Sequence, residues 1–115
     1  MILVIGGVAA GKRTYVDRHL GIDRQDIAEA VLDGRPAVSG VQELLRGLDG
    51  ETLLPMLLEK RVVICDEVGS GIIPIDAGDR LWREAVGRLC CRLSDEAEAV
   101  VRVFCGIPTV LKGEI

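Results

Sequence analysis

The chain has 115 residues, enough for a single domain over 1–115. Apolar residues make up 49% and charged residues 28%, a composition that excludes intrinsic disorder. Fourteen basic against eighteen acidic residues give a net charge of −4, which argues against nucleic acid as a partner. Aromatics are 3%, so Val, Ile, Leu and Ala must build the core, and base-stacking platforms are excluded. No apolar run reaches the length of a membrane span, and the apolar start at residues 1–5 is too short for a signal peptide. None of the four cysteines, Cys65, Cys90, Cys91 and Cys105, forms a Cys-x-x-Cys pair. They read as buried reduced thiols of a cytoplasmic protein.

Ile2-Leu3-Val4-Ile5 is a continuous apolar run, the pattern of a strand buried on both faces. A glycine-rich turn follows, then a helix over 12–20 that Gly21 stops. Asp23 is expected to cap a second helix to about residue 32, with Ile27, Ala28, Val31 and Leu32 as its apolar stripe. Asp33-Gly34-Arg35-Pro36 reads as a turn, followed by helices over 41–48 and 52–60, the latter with Pro55 in its first turn. Residues 61–65 form a second buried strand, and a long loop leads to a helix over 80–98 capped by Asp79. Trp82, Ala85, Val86, Leu89, Cys90 and Leu93 lie on one stripe of that helix. A third strand covers 100–105. Gly106-Ile107-Pro108 reads as a turn into a short antiparallel edge over 109–111. Alternating helices and continuously apolar strands give an α/β layered domain with a small, mostly parallel sheet, and the G-x-x-x-x-G-K spacing of Gly6 to Lys12 after the first strand makes it P-loop NTPase-like.

The most informative stretch is Gly6-Gly7-Val8-Ala9-Ala10-Gly11-Lys12, the G-x-x-x-x-G-K spacing between a strand and a helix. Backbone N–H groups of such a loop wrap phosphates, the helix N-terminus adds positive potential, and Lys12 reaches the β/γ-phosphates. The plain alternative is a glycine-rich turn with no ligand. The next position, where a hydroxyl residue holds Mg²⁺, carries Arg13, with Thr14 one place later. Asp66 and Glu67, at the carboxyl end of the second strand, are placed either to hold a metal-bound water and act as general base or simply to open a solvated loop. Arg80, Arg83, Arg88 and Arg92 read as the solvated side of the long helix.

Asp66-Glu67-Val68-Gly69-Ser70-Gly71-Ile72-Ile73-Pro74 is similar to the Asn-Glu-Val-Gly-x-Gly-Ile-Val-Pro loop of the bifunctional adenosylcobinamide kinase/adenosylcobinamide-phosphate guanylyltransferase family. The start of the chain, the pattern Arg80, Trp82, Arg83, Glu84 and Gly87, and the closing Gly106-Ile107-Pro108 to Lys112 resemble the same family. So does Asp33-Gly34-Arg35-Pro36-Ala37 followed by Glu43, the segment after that family's guanylylated histidine. The resemblance implies that residues 6–14 and Glu43 bind GTP or ATP, and that Thr14 or Asp66 holds Mg²⁺. Asp66 or Glu67 would orient the aminopropanol hydroxyl of adenosylcobinamide, with Lys12 stabilising the transferred phosphoryl group. It also implies a homo-oligomer.

Three departures stand out. The nucleophilic histidine's position falls on Val31, which has no lone pair to attack an α-phosphate, so guanylyl transfer is expected to be lost. Cys90-Cys91 replaces the family's Asn-Gln, and the strand that normally follows the first helix is expected to be missing. The alternative to a kinase is therefore a catalytically impaired paralogue that binds nucleotide as a binding or regulatory subunit.

Overall fold

A computed structural model describes residues 1–68 and 76–115. The first strand, β1 (Ile2–Gly6), leads into helix α1 (Lys12–Leu20). Short strands β2 (Ile27–Glu29) and β3 (Ala37–Ser39) come next, then helices α2 (Val41–Leu44) and α3 (Gly50–Leu58). Strand β4 (Val62–Asp66), the long helix α4 (Ala77–Glu96) and the hairpin β5 (Ala99–Phe104) and β6 (Ile107–Lys112) complete the chain. The six strands are ordered β2-β3-β4-β1-β5-β6, with every pairing parallel except β5 with β6. The expected α/β architecture with an antiparallel edge is the one observed.

Continuous apolar runs are explained by helices on both faces. Successive side chains of a strand point to opposite sides. Leu3 and Val63 therefore pack with Leu53, Leu57, Leu89 and Leu93 beneath α3 and α4. Their neighbours Val4 and Ile64 pack with Tyr15 and Val16 beneath α1. All four strand residues are at most 1% exposed.

The expected second helix is a strand. Residues 24–26 make one 3₁₀ turn, and Ile27 and Ala28 then enter β2, each buried against a different face of the sheet. Parallel pairing with β3 overrides a helical spacing, because strand choice depends on neighbours rather than on local preference. Ala30, at φ 52°, ends the strand and donates its N–H to the Ser39 carbonyl. The strand expected to be missing after α1 is thus present, and among the described residues the sheet has six strands.

Other boundaries move by cap chemistry. Helix α2 stops at Leu44, short of residue 48. Asp49 caps α3 by accepting from Thr52 N at 2.7 Å, so this helix begins at Gly50 and Pro55 sits in its second turn. Asp76, not Asp79, caps α4 by accepting from the N–H groups of Gly78 and Asp79. The β5–β6 turn is Cys105-Gly106, both with positive φ, as a two-residue hairpin of right-handed twist requires. Pro108 lies within β6 and is tolerated there because β6 is the sheet's edge. Cys65 is buried and Cys90 half-buried, but Cys91 and Cys105 are exposed, correcting the expectation of four buried thiols.

The turn at 33–36 is held by charge. Asp33 accepts from the Arg35 backbone N–H and from its guanidinium, while Lys60 donates to the carbonyls of Asp33 and Arg35. The Arg35 side chain first, then its N–H, pulls the exposed Asp33 carboxyl down to about 2 from 3.8. A depressed carboxyl contributes stability above its unfolded value and loses it as pH falls through its folded value. Asp33→Asn is expected to flatten the fall in melting temperature between about pH 4 and pH 2. An unchanged slope in thermal unfolding across that window would remove this role.

Candidate functional site

The loop between β1 and α1 turns through Ala9 at φ 57° and Gly11 at φ 96°. Its two end glycines have packing reasons beyond any ligand. A Cβ on Gly6 would lie 2.4 Å from the Val103 carbonyl oxygen on β5, and one on Gly11 would lie 3.3 Å from Gly106 Cα. The hairpin turn also donates the Gly106 N–H to the Ala10 carbonyl at 2.8 Å, bracing the loop from behind. No side chain caps α1, so the N–H groups of its first turn point out at the loop.

Lys12 is 7% exposed. Its ammonium lies 2.8 Å from Asp66 Oδ1 and donates to the Gly7 carbonyl. The sheet register brings this about, since Gly6 at the end of β1 is paired with Asp66 at the end of β4. Gln42, a residue with no distinguishing signal in the sequence, grips Asp66 from the other side. Its amide donates to Asp66 Oδ2 at 3.0 Å and its side-chain oxygen accepts from Asp66 N at 3.1 Å. The Gln42 carbonyl accepts from Trp82 Nε1 at 2.7 Å, and the Arg46 guanidinium lies 3.8 Å over the indole ring. Trp82 thus holds Gln42 and, through it, Asp66.

A cavity of about 330 Å³ opens in front of the loop, lined by residues 8–14 with Arg24, Ser39 and Asp66. Arg13 pairs with Glu29 at 2.6 Å and donates to Ser39 Oγ, and Thr14 Oγ1 accepts from the Arg24 guanidinium at 2.7 Å. Sequence reasoning missed Arg24 and Ser39, whose approach depends on where β2 and β3 lie. Glu67 does not line this cavity. Its N–H donates to the Gly6 carbonyl and its carboxylate pairs with Arg102 at 3.1 Å. Glu43 also lies outside it, paired with Arg46. The rest of the loop after Val68, residues 69–75, falls outside the described residues.

Behind Asp66, Cys90 Sγ and Cys65 Sγ share a thiol–thiol hydrogen bond of 3.6 Å. That contact, reinforced by burial, pushes the Cys65 thiol up, and the same contact draws Cys90 down. His19 stacks on Tyr15 with ring centroids 5.1 Å apart, a packing role on α1. Val31 is 45% exposed.

A divalent cation does not suit these residues. The position of the metal-binding hydroxyl holds a guanidinium, and the Thr14 hydroxyl oxygen is taken by a second one. Asp66 faces the Lys12 ammonium through Oδ1 and accepts from Gln42 through Oδ2. Among the described residues no helix is long and apolar enough to cross a membrane.

A family model described as cobinamide kinase / cobinamide phosphate guanyltransferase matches residues 48–111, more than half of the chain. The match runs from the approach to α3 into β6 and includes Asp66 and Trp82, while the loop at 6–12 lies before it. No curated protein matches the chain.

Proposed function

The chain belongs to the cobinamide kinase / cobinamide phosphate guanyltransferase family, and from that premise we propose that it works in the kinase half of that chemistry. The reading is that the loop at 6–12 takes the phosphates of GTP or ATP, and that the γ-phosphoryl group passes to the hydroxyl of adenosylcobinamide. One observation carries it. A buried lysine at the floor of a glycine loop faces a carboxylate on the neighbouring strand, at the carboxyl ends of the sheet.

Each residue then has a role. Lys12 shifts from Asp66 toward the β/γ-phosphates and stabilises the charge on the equatorial oxygens as the phosphoryl group moves. Asp66, freed of Lys12 and still oriented by Gln42, accepts the proton of the attacking hydroxyl. Guanylyl transfer has no nucleophile at Val31, because an isopropyl group forms no phosphoramidate. A second reading, nucleotide binding without turnover, is favoured by the unsuitability of Arg13 and Thr14 for a metal.

The test uses γ-labelled and α-labelled GTP with adenosylcobinamide. Label from the γ-position is expected on the corrinoid with wild type and absent with Asp66→Asn. No α-label is expected on the protein. Nucleotide binding with no labelled corrinoid would select the second reading, and α-label bound to the protein would overturn the loss of guanylyl transfer.

A further inference from the structure

The cavity wall carries three cations, Lys12, Arg13 and Arg24, against the single carboxylate Asp66 among the described lining residues. That is an excess of two positive charges where a metal-using site would present oxygen donors. We propose that this site binds the polyphosphate of a nucleotide free of divalent metal, with Arg13 and Arg24 holding the phosphate oxygens that a cation would otherwise bridge. The inference rests on the reading of 6–12 as a phosphate loop and adds Arg24 to it.

The geometry supports this in three ways. Arg13 occupies the first helical position after Lys12, beside the loop, and its pairing with Glu29 is between groups about half exposed, at 49% and 55%. Such an exposed pair is worth little and exchanges readily for a phosphate. Arg24 reaches across from the turn before β2 to the Thr14 hydroxyl, which places its fork at the cavity mouth. Guanidinium groups bind phosphate oxygens bidentately and stay charged at all working pH values. A divalent cation entering here would meet two guanidinium groups and an ammonium, and would have to strip Arg24 from the Thr14 hydroxyl or Arg13 from the Ser39 hydroxyl. The sequence concealed this, because Arg24 sits ten residues from Thr14 in what reads as a helix.

Calorimetric titration of GTP and ATP, in EDTA and in excess Mg²⁺, tests the proposal on wild type, Arg24→Ala and the double variant Arg13→Ser/Arg24→Ala. Wild type is expected to bind at least as tightly in EDTA as in Mg²⁺. Arg24→Ala is expected to lose about tenfold in metal-free affinity. The double variant, with a hydroxyl restored and both guanidinium groups gone, is expected to bind more tightly with Mg²⁺ than without. Thermal melts of the variants check folding, and both arginines are exposed enough for the fold to tolerate their loss. Wild-type binding tenfold tighter in Mg²⁺, or metal-free affinity unmoved in Arg24→Ala, would overturn this inference while leaving the phosphate loop intact. No binding under either condition would overturn both.

Discussion

Lys12→Ala is expected to weaken GTP and ATP binding by about 100-fold while the protein stays folded. Truncating a buried charged partner of a bound charge costs about 2–5 kcal/mol, and each 1.4 kcal/mol is roughly tenfold. Lys12 qualifies because it is 7% exposed and aimed at the loop interior, so water cannot replace it cheaply. Its loss leaves Asp66, which is 23% exposed and keeps its two hydrogen bonds from and to Gln42. The reverse change behaves differently. Asp66→Ala strands a buried ammonium, and breaking a buried pair from that side costs about 3–5 kcal/mol. Calorimetry and thermal unfolding on both variants separate the effects. Unchanged nucleotide affinity in Lys12→Ala would remove the lysine from the site, and an unchanged melting temperature in Asp66→Ala would show the ammonium is not buried as described.

The second large effect concerns stability. Gly6→Ala places a methyl group 2.4 Å from the Val103 carbonyl oxygen. Neither strand can retreat, because β1 is hydrogen-bonded to β4 on one side and β5 on the other. Overpacking of this kind costs about 1–3 kcal/mol, and at this chain length each kcal/mol lowers the melting temperature by roughly 4 °C. Gly7→Ala is the matched control, since a Cβ there meets nothing within 4 Å. Melts without nucleotide should show a loss of about 4–12 °C for Gly6→Ala and little change for Gly7→Ala. Equal melting temperatures for the two would refute the packing role of Gly6.

Gly6 also shows that one motif position can have a second, purely structural reason to be glycine. The glycine spacing announces a phosphate loop, yet the first glycine is demanded by a carbonyl on β5, almost a hundred residues away in sequence. Asp66 was legible as a carboxylate ending a buried strand, but its two partners were legible to different degrees. Lys12 comes with the motif. Gln42 lies in a four-residue helix and becomes visible only when β3 is laid beside β4.

What the sequence by itself determined was whatever depends on local pattern. Continuous apolar runs specified strands buried on both faces, and Gly21 ended α1 because its φ of 70° suits a residue without Cβ. The glycine spacing and Lys12 marked the loop between β1 and α1. What only the tertiary structure decided was pairing across distance. Ile27 and Ala28 fit a helix by spacing and became a strand because β3 offered a parallel partner and two apolar faces to fill. The same placement of β2 and β3 brought Arg24 to Thr14, Glu29 and Ser39 to Arg13, and so set the charge of the cavity. Local patterns follow from a few neighbouring residues, whereas a charge in a cavity depends on which distant backbones share an edge.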